Sequence, residues 1–498
     1  MNRRWLAAPA QATAATMIAL LLIAAAPLAP ADIETQLRGA AALYDSGKAA
    51  DALPILDALL AQAELPADRG RIQQLRFFVL ARMDKIPEAR AAIEVAVANT
   101  ATPTPALLAA LFKIRAFMGD TDAAAETLLL VAATDAAALN TLPSELVSNV
   151  MRAVGKDKNR AFDLDFALNA AGWQPTDATL GDVDWLRVRL VAALVARDRS
   201  GEARAVIDAI LNPVHLVRIG IDRRYQMFWP QVEKRLGPGA DVADAAYLAA
   251  TKARFDAAPT SLIARLGYAE ALNVASREPE AMALADVAKT PAELAALTER
   301  EIWLVNLHAS LLADAGQIDA ALARLAALNA SPLAGRPALV NTMINQALLA
   351  ASVDRPQEAL AAADAVDAKK GMISSFGALF IATARACALS QLGKASEAAI
   401  VAAPLVSKPD ANDDAYLGAM ICLGRNDAAA AAIIRRLAGE ATRTDMLFNL
   451  QPFLINRDDT VRDVKERAAL RGLKARPDVK AAYLKAGRDM PAAVAPPR

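Results

Sequence analysis

One hydrophobic–polar pattern recurs along the chain. A residue that tolerates a turn (Gly, Asp or Ser) is followed five positions later by alanine inside a helical run. Four positions beyond, on the same helical face, stands a second apolar residue. The pairs are Gly47 and Ala52, Asp84 and Ala89, Gly119 and Ala124, Asp198 and Ala203, Ser276 and Ala281, Gly316 and Ala321, Asp354 and Ala359, Gly393 and Ala398, and Gly424 and Ala429. Successive alanines are 37, 35, 79, 78, 40, 38, 39 and 31 residues apart. The two long steps are about twice the others, so each gap is expected to hold a degenerate unit, with Ala161 a candidate for the first.

This spacing predicts a helical hairpin. The turn residue ends the first helix, where Gly or Asp accepts unusual backbone angles. The marker alanine lies one turn into the second helix, and its small side chain lets the two helices approach. The second apolar residue is Leu56, Ile93, Leu128, Ile207, Leu325 or Ile433, and alanine in the other three units. Pro66, Pro103, Pro213, Pro291 and Pro332 follow their markers by 10–14 residues and are expected to end the second helix.

The period, the turn residue, the alanine, the apolar residue and the trailing proline together resemble tetratricopeptide (TPR) repeats. The clearest copies are LYDSGKAADALPILDALL at 43–60, LLADAGQIDAALARLAAL at 311–328 and LSQLGKASEAAIVAAPLV at 389–406. The resemblance covers most of residues 32–440 and implies an all-α fold: a right-handed α/α solenoid of about eleven TPR-like hairpins with a C-terminal helical cap. It departs from the family where aliphatic residues replace early-helix aromatics and where the period drifts up to 40. The resemblance also implies that the first helices line a concave groove, at positions 18, 15, 11 and 7–8 before each marker. These positions hold Arg71, Gln74, Phe78 and Arg82, then Lys113, and later Trp303, Asn306, Ser310 and Asn341. The first group could accept an acidic peptide or a carboxylate. It does not reproduce the family's carboxylate clamp, because Leu37 and Ala41 stand where that clamp needs Lys and Asn.

Composition strengthens the helical reading. Of 498 residues 122 are alanine, the best helix former, and only 5% are aromatic. Sheet-based enzymes and β-sandwiches are disfavoured. The rhythm breaks at 212–240, where His215, Arg218, Arg223, Arg224, Tyr225, Phe228 and Trp229 gather. Tyr225, Phe228 and Trp229 share a helical face, either buried as a joint between two repeat blocks or exposed as a binding patch. The expected organisation is therefore a signal at 1–31, repeats at 32–211, an aromatic and basic joint at 212–250, repeats at 251–452, a helical cap at 453–489 and a disordered tail at 490–498. Within the cap, helices are expected at Val461–Ala475 and Asp478–Gly487, parted by Pro477.

The N-terminus reads as a cleavable secretory signal. Arg3 and Arg4 precede the short apolar run Met17–Ala26, and Ala29-Pro30-Ala31 offers small residues before a cut ahead of Asp32. The expected location is the bacterial periplasm, with no membrane span after cleavage. Charge is uneven: residues 461–498 hold ten Lys/Arg against four Asp/Glu, whereas the whole chain is neutral. An acidic body with a basic tail does not resemble a nucleic-acid binder.

Catalytic signatures are missing. The chain has two histidines, His215 and His308, and no HExxH, CxxC, GxSxG or Walker loop. No catalytic residue, metal or cofactor is expected. Cys387 and Cys422 fall in the first helices of adjacent units, 11 and 7 residues before their markers. That offset of one turn favours two free thiols over a disulfide. The function expected is a periplasmic protein–protein scaffold, similar to the solenoid parts of envelope assembly and exopolysaccharide export machines, binding a protein or peptide in the cell envelope. The alternative is a glycan-acting enzyme with paired carboxylates, or a glycan-binding protein in which Trp303 and Trp229 stack on sugars.

Overall fold

A computed structural model describes residues 31–333, 336–369, 371–457, 460 and 462–496. The signal-like residues 1–30 and Val461 lie outside them. The fold is all-α, built from adjacent antiparallel helix pairs. Among the described residues there is no strand, only an isolated bridge between Asp222 and Gly487.

The hairpin turns follow directly from the sequence pattern. All nine turn residues have positive φ, from 55° at Ser276 to 86° at Gly47. At each, the next residue donates its N–H to the carbonyl five positions back: Lys48 to Leu43, Lys85 to Leu80, Gln317 to Leu312, Arg425 to Met420, and likewise in the other five. This is a Schellman cap, which satisfies the orphan carbonyls of the first helix and reverses the chain. All nine marker alanines are fully buried, and Leu56, Ile93, Leu128, Ile207 and Ile433 are as well. The prolines act differently from expectation. Pro66, Pro213 and Pro291 occupy the first position of the following helix, where the missing N–H costs nothing.

The chain divides between Asp177 and Ala178. The first unit contains the hairpins Ala31–Asp45 with Ala49–Gln62, Pro66–Arg82 with Ile86–Ala98, and Pro105–Phe117 with Thr121–Thr134. The degenerate pair is Ser144–Val154 with Lys158–Ala170. Its turn lacks positive φ and relies on Asp157, whose carboxylate accepts from Asn159 and Arg160 N–H. Ala161 is only partly buried there.

The second unit opens with Asp184–Val195 and Ser200–Ala209, so this hairpin belongs with the residues that follow it rather than with the earlier repeats. The 212–240 region forms Pro213–Ile221, a 3-10 segment Arg223–Phe228 and Trp229–Leu236, then the long helix Asp241–Ala257. Regular hairpins run from Leu262–Val274 to Asn426–Ala438. Beyond them, Arg443–Asn449 packs on Pro213–Ile221, so the end of this unit returns to its beginning. Two cap helices are present as expected, at Val464–Ala475 and Pro477–Ala486. Residues 490–496, expected to be disordered, instead pack on the joint. Met490 is buried against Gly220, and the Ala493 carbonyl accepts from Gly239 N–H.

The cysteines form a disulfide, contrary to expectation, with Cα atoms 5.4 Å apart. The one-turn offset was counted from alanines on the second helices, whereas the bridge depends on how the first helices lie against each other. There, the Thr383 hydroxyl donates to the Ala415 carbonyl, and Gly418 faces Thr383. Thr383 and Gly418 are 35 residues apart, the same register as Cys387 and Cys422.

Candidate functional site

In the first unit, the basic groove positions are already committed. Arg71 lies 3.3 Å from Glu34 and 3.9 Å from Asp68. Arg82 donates to the Tyr44 carbonyl at 3.1 Å and covers the Tyr44 ring. Both arginines, Arg71 partly buried and Arg82 exposed, are thus ties between the first and third helices rather than free charges. Gln74 is buried, and Phe78 packs edge-on against Phe77. Lys113 is partly buried, and burial lowers its ammonium pKa.

The joint is closed rather than open. Tyr225 and Phe228 are buried, which removes Tyr225 as a surface anchor. Trp229 donates to the Asp222 carbonyl at 3.3 Å, and the Arg488 guanidinium lies 3.7 Å above its ring. Arg488 also reaches the Gly220 carbonyl at 2.8 Å and Glu233 at 2.6 Å. Asp222, fully buried, accepts from Arg224 and from the Thr444 hydroxyl at 2.6 Å. The aromatic cluster therefore clamps the end of the second unit to its start. The spacing of aromatics was visible in the sequence. The partner that covers them, some 260 residues away, was not.

An opening lies along the first helices of the later hairpins of the second unit. It is a cavity of about 940 Å³ walled by the first helices Ile302–Asp314, Ala338–Ser352, Ser375–Gln391 and Asp413–Cys422, with the disulfide in its wall. Asn306 and Ser310 line it as the groove positions imply, and Asn345 donates to Asn306 across adjacent hairpins at 3.0 Å. Asn341 is exposed on the same helix as Asn345, and Trp303 is wedged between two apolar clusters.

Opposite these helices the cavity is walled by the chain's own C-terminal segment. Arg457 lies 3.9 Å from Glu278, Arg462 3.9 Å from Asp314, Lys465 2.6 Å from Asp354 and Arg476 2.7 Å from Asp427. The cations advance along the segment in the same order as the acids advance along the hairpins. Glu466 faces the cavity. Confinement by protein and the neighbouring Asp463 carboxylate raise its pKa to about 6. Sequence reasoning found the basic excess here but not its destination.

Elsewhere in the second unit, Glu270 has its carboxyl walled in beside Thr179, Asp182 and Arg300. Burial, and then the Asp182 charge, push its pKa up to about 8. Asp182 is tied to Arg300 and accepts from Thr179 N–H at 2.7 Å. These carboxyls are not among the residues lining the cavity. A carboxyl whose folded pKa is raised stabilises the fold fully below its unfolded value, near 4.5, and loses that contribution as pH rises through 8. Glu270→Gln should therefore melt with wild type at pH 4, increasingly above it as pH rises from about 5 to 8, and by a constant margin beyond. Thermal unfolding across that range checks this; a variant that matches wild type at pH 4 and becomes the less stable of the two as pH rises would show that the carboxylate charge supports the fold.

His215 is pushed down to about 4 by burial and by Arg218, and burial likewise lowers His308. Both are neutral at pH 7. Among the described residues no cluster of three or more His, Cys, Asp or Glu could hold a metal ion, and no helix is long and apolar enough to cross a membrane.

No family model matches the chain, and no curated protein matches it. Among solved structures, the chain is similar to one described as Naa15/Naa10 bound to HypK-THB, at 14% identity over 91% of this chain and 79% of that one, with a TM-score of 0.25. It is also similar to the P58(IPK) TPR domain, at 15% identity over 74% of this chain and all of that one, with a TM-score of 0.20. Likenesses this distant carry no argument about function, and the TPR-like character of the fold rests on its hairpins, their capped turns and their buried alanines.

Proposed function

We propose that the protein is a protein–protein interaction scaffold whose binding surface is the inner groove of the second unit, acting in the periplasm in cell-envelope or exopolysaccharide assembly or export. The groove carries the reading. Successive first helices present polar side chains (Asn306, Ser310, Asn345, Ser352) to one continuous cavity with room for an extended segment. The address is supported by the signal-like N-terminus and by the Cys387–Cys422 disulfide, a bond that persists in oxidising compartments. Arg71 and Arg82 do not favour the first unit as the site, because both already hold the fold together.

A photocrosslinking residue at exposed Asn341 should trap one discrete partner in the source cells. The adduct should be lost when Asn345 is replaced by Arg, which fills the groove. It should fractionate with the periplasm, with the mature chain beginning at Asp32. No adduct, or one indifferent to Asn345→Arg, counts against this groove. A chain retaining Met1 in the cytoplasm counts against the address.

A further inference from the structure

A row of acids runs along one edge of the second unit's hairpins, and one of them, Asp314, is unusual for its placement. Asp314 is the last residue of its helix, where the macrodipole disfavours a negative charge. Asp354 is itself a turn residue, and Asp427 lies in the first turn of the helix Asn426–Ala438. Helix stability does not account for Asp314, whose carboxylate faces Arg462 at 3.9 Å. The cations come from one segment, residues 462–476, which crosses these hairpins in order.

That segment is held differently from its neighbours. The helix Val464–Ala475 buries only Leu470 and Leu473. The next helix, Pro477–Ala486, buries Val479, Tyr483 and Ala486, and the Tyr483 hydroxyl accepts from Gln451 and donates to Asp489 at 2.7 Å each. Exposed ion pairs are individually weak and are screened by salt, whereas buried apolar anchors are not. Residues 462–476 thus form a strap, seated by Leu470 and Leu473, fixed beyond Pro477 and paired across the groove through Arg462, Lys465 and Arg476.

We propose that this strap is a displaceable occupant of the groove, and that the partner taking its place presents a basic segment with the same charge spacing: two cations three residues apart and a third eleven residues further on. The acidic edge then reads the partner as it now reads Arg462, Lys465 and Arg476. Displacement opens the polar cavity beneath, so the strap sets a threshold that only a matching basic segment passes. This deepens the scaffold reading and rests on it.

Two measurements on the full-length protein test it. Hydrogen exchange of amides 466–475 should quicken at least tenfold between 50 and 500 mM salt, while amides 415–422 stay protected. Equal, salt-independent protection of the two stretches overturns the proposal, because the strap would then be a fixed part of the fold. The second uses a labelled synthetic peptide of residues 462–478. It should bind full-length Arg462→Glu, Lys465→Glu protein at least tenfold more tightly than wild type, and a peptide in which the positions of Arg462, Lys465 and Arg476 carry Glu should not bind. A strap that keeps wild-type exchange in the double variant, or one that is released without the peptide binding, overturns it too. Crosslinking at Asn341 to a partner with no basic segment would leave the scaffold reading standing and remove this one.

Discussion

Replacing Ala321 by leucine should lower the melting temperature markedly, while Ala361→Leu should barely move it. Ala321 is fully buried where the helices Ile302–Asp314 and Ile318–Asn329 meet, among Ala309, Leu312, Ala313 and Leu325. Leucine adds three heavy atoms where the backbones lie too close to receive them. Overpacking of this kind costs about 1–3 kcal/mol. Ala361, two residues after its own marker, is exposed, whereas Ala362 is partly buried beside an apolar cluster. The informative comparison is therefore Ala321 against Ala361, read by thermal unfolding with helical content checked before heating. Equal melting temperatures would mean that the five-residue spacing has no packing consequence.

The larger loss is expected from removing the disulfide. Cys387 and Cys422 close a loop of 35 residues, and chain-entropy reasoning for a loop of that length gives about 4 kcal/mol. Cys387→Ser with Cys422→Ser should show it as a lower denaturant midpoint, and a reducing agent should bring the wild-type protein to nearly the same midpoint. The sulfurs lie in the cavity wall among apolar neighbours such as Leu349 and Ala388, so serine hydroxyls there add a small desolvation cost. A wild-type midpoint unmoved by reductant would argue against the bond.

What the sequence disclosed and what it hid follow from distance along the chain. The nine turns were legible because a Schellman cap is local: the turn residue, the carbonyl it helps to satisfy and the marker alanine all lie within about ten residues. The burial of Leu56 or Ile433 followed from the same short spacing. The disulfide was misjudged because its register belongs to the contact between two first helices, while the sequence offered only positions relative to second helices. Tyr225 and Trp229 could be paired with one another by spacing, but nothing nearby signalled that Arg488 and the Gly487 bridge would cover them. The acids Asp314, Asp354 and Asp427 lie far along the chain from the cations that face them, and only the net positive charge of the last 38 residues hinted that something basic needed a home.

The strap also changes how the second unit should come apart. In an array of hairpins that touch only their neighbours, unfolding resembles a zipper: an end hairpin frays, then the next, each step governed by one interface. The first unit has that nearest-neighbour character in its regular hairpins. In the second, the strap touches Asp314, Asp354 and Asp427 in turn, Arg457 ahead of it touches Glu278, and the Arg443–Asn449 helix ties the last hairpins to Pro213–Ile221. Contacts of such long sequence separation make opening one hairpin loosen several others at once. Fraying gives way to all-or-none melting, and a partner that lifts the strap turns a cooperative block back into a string of semi-independent parts.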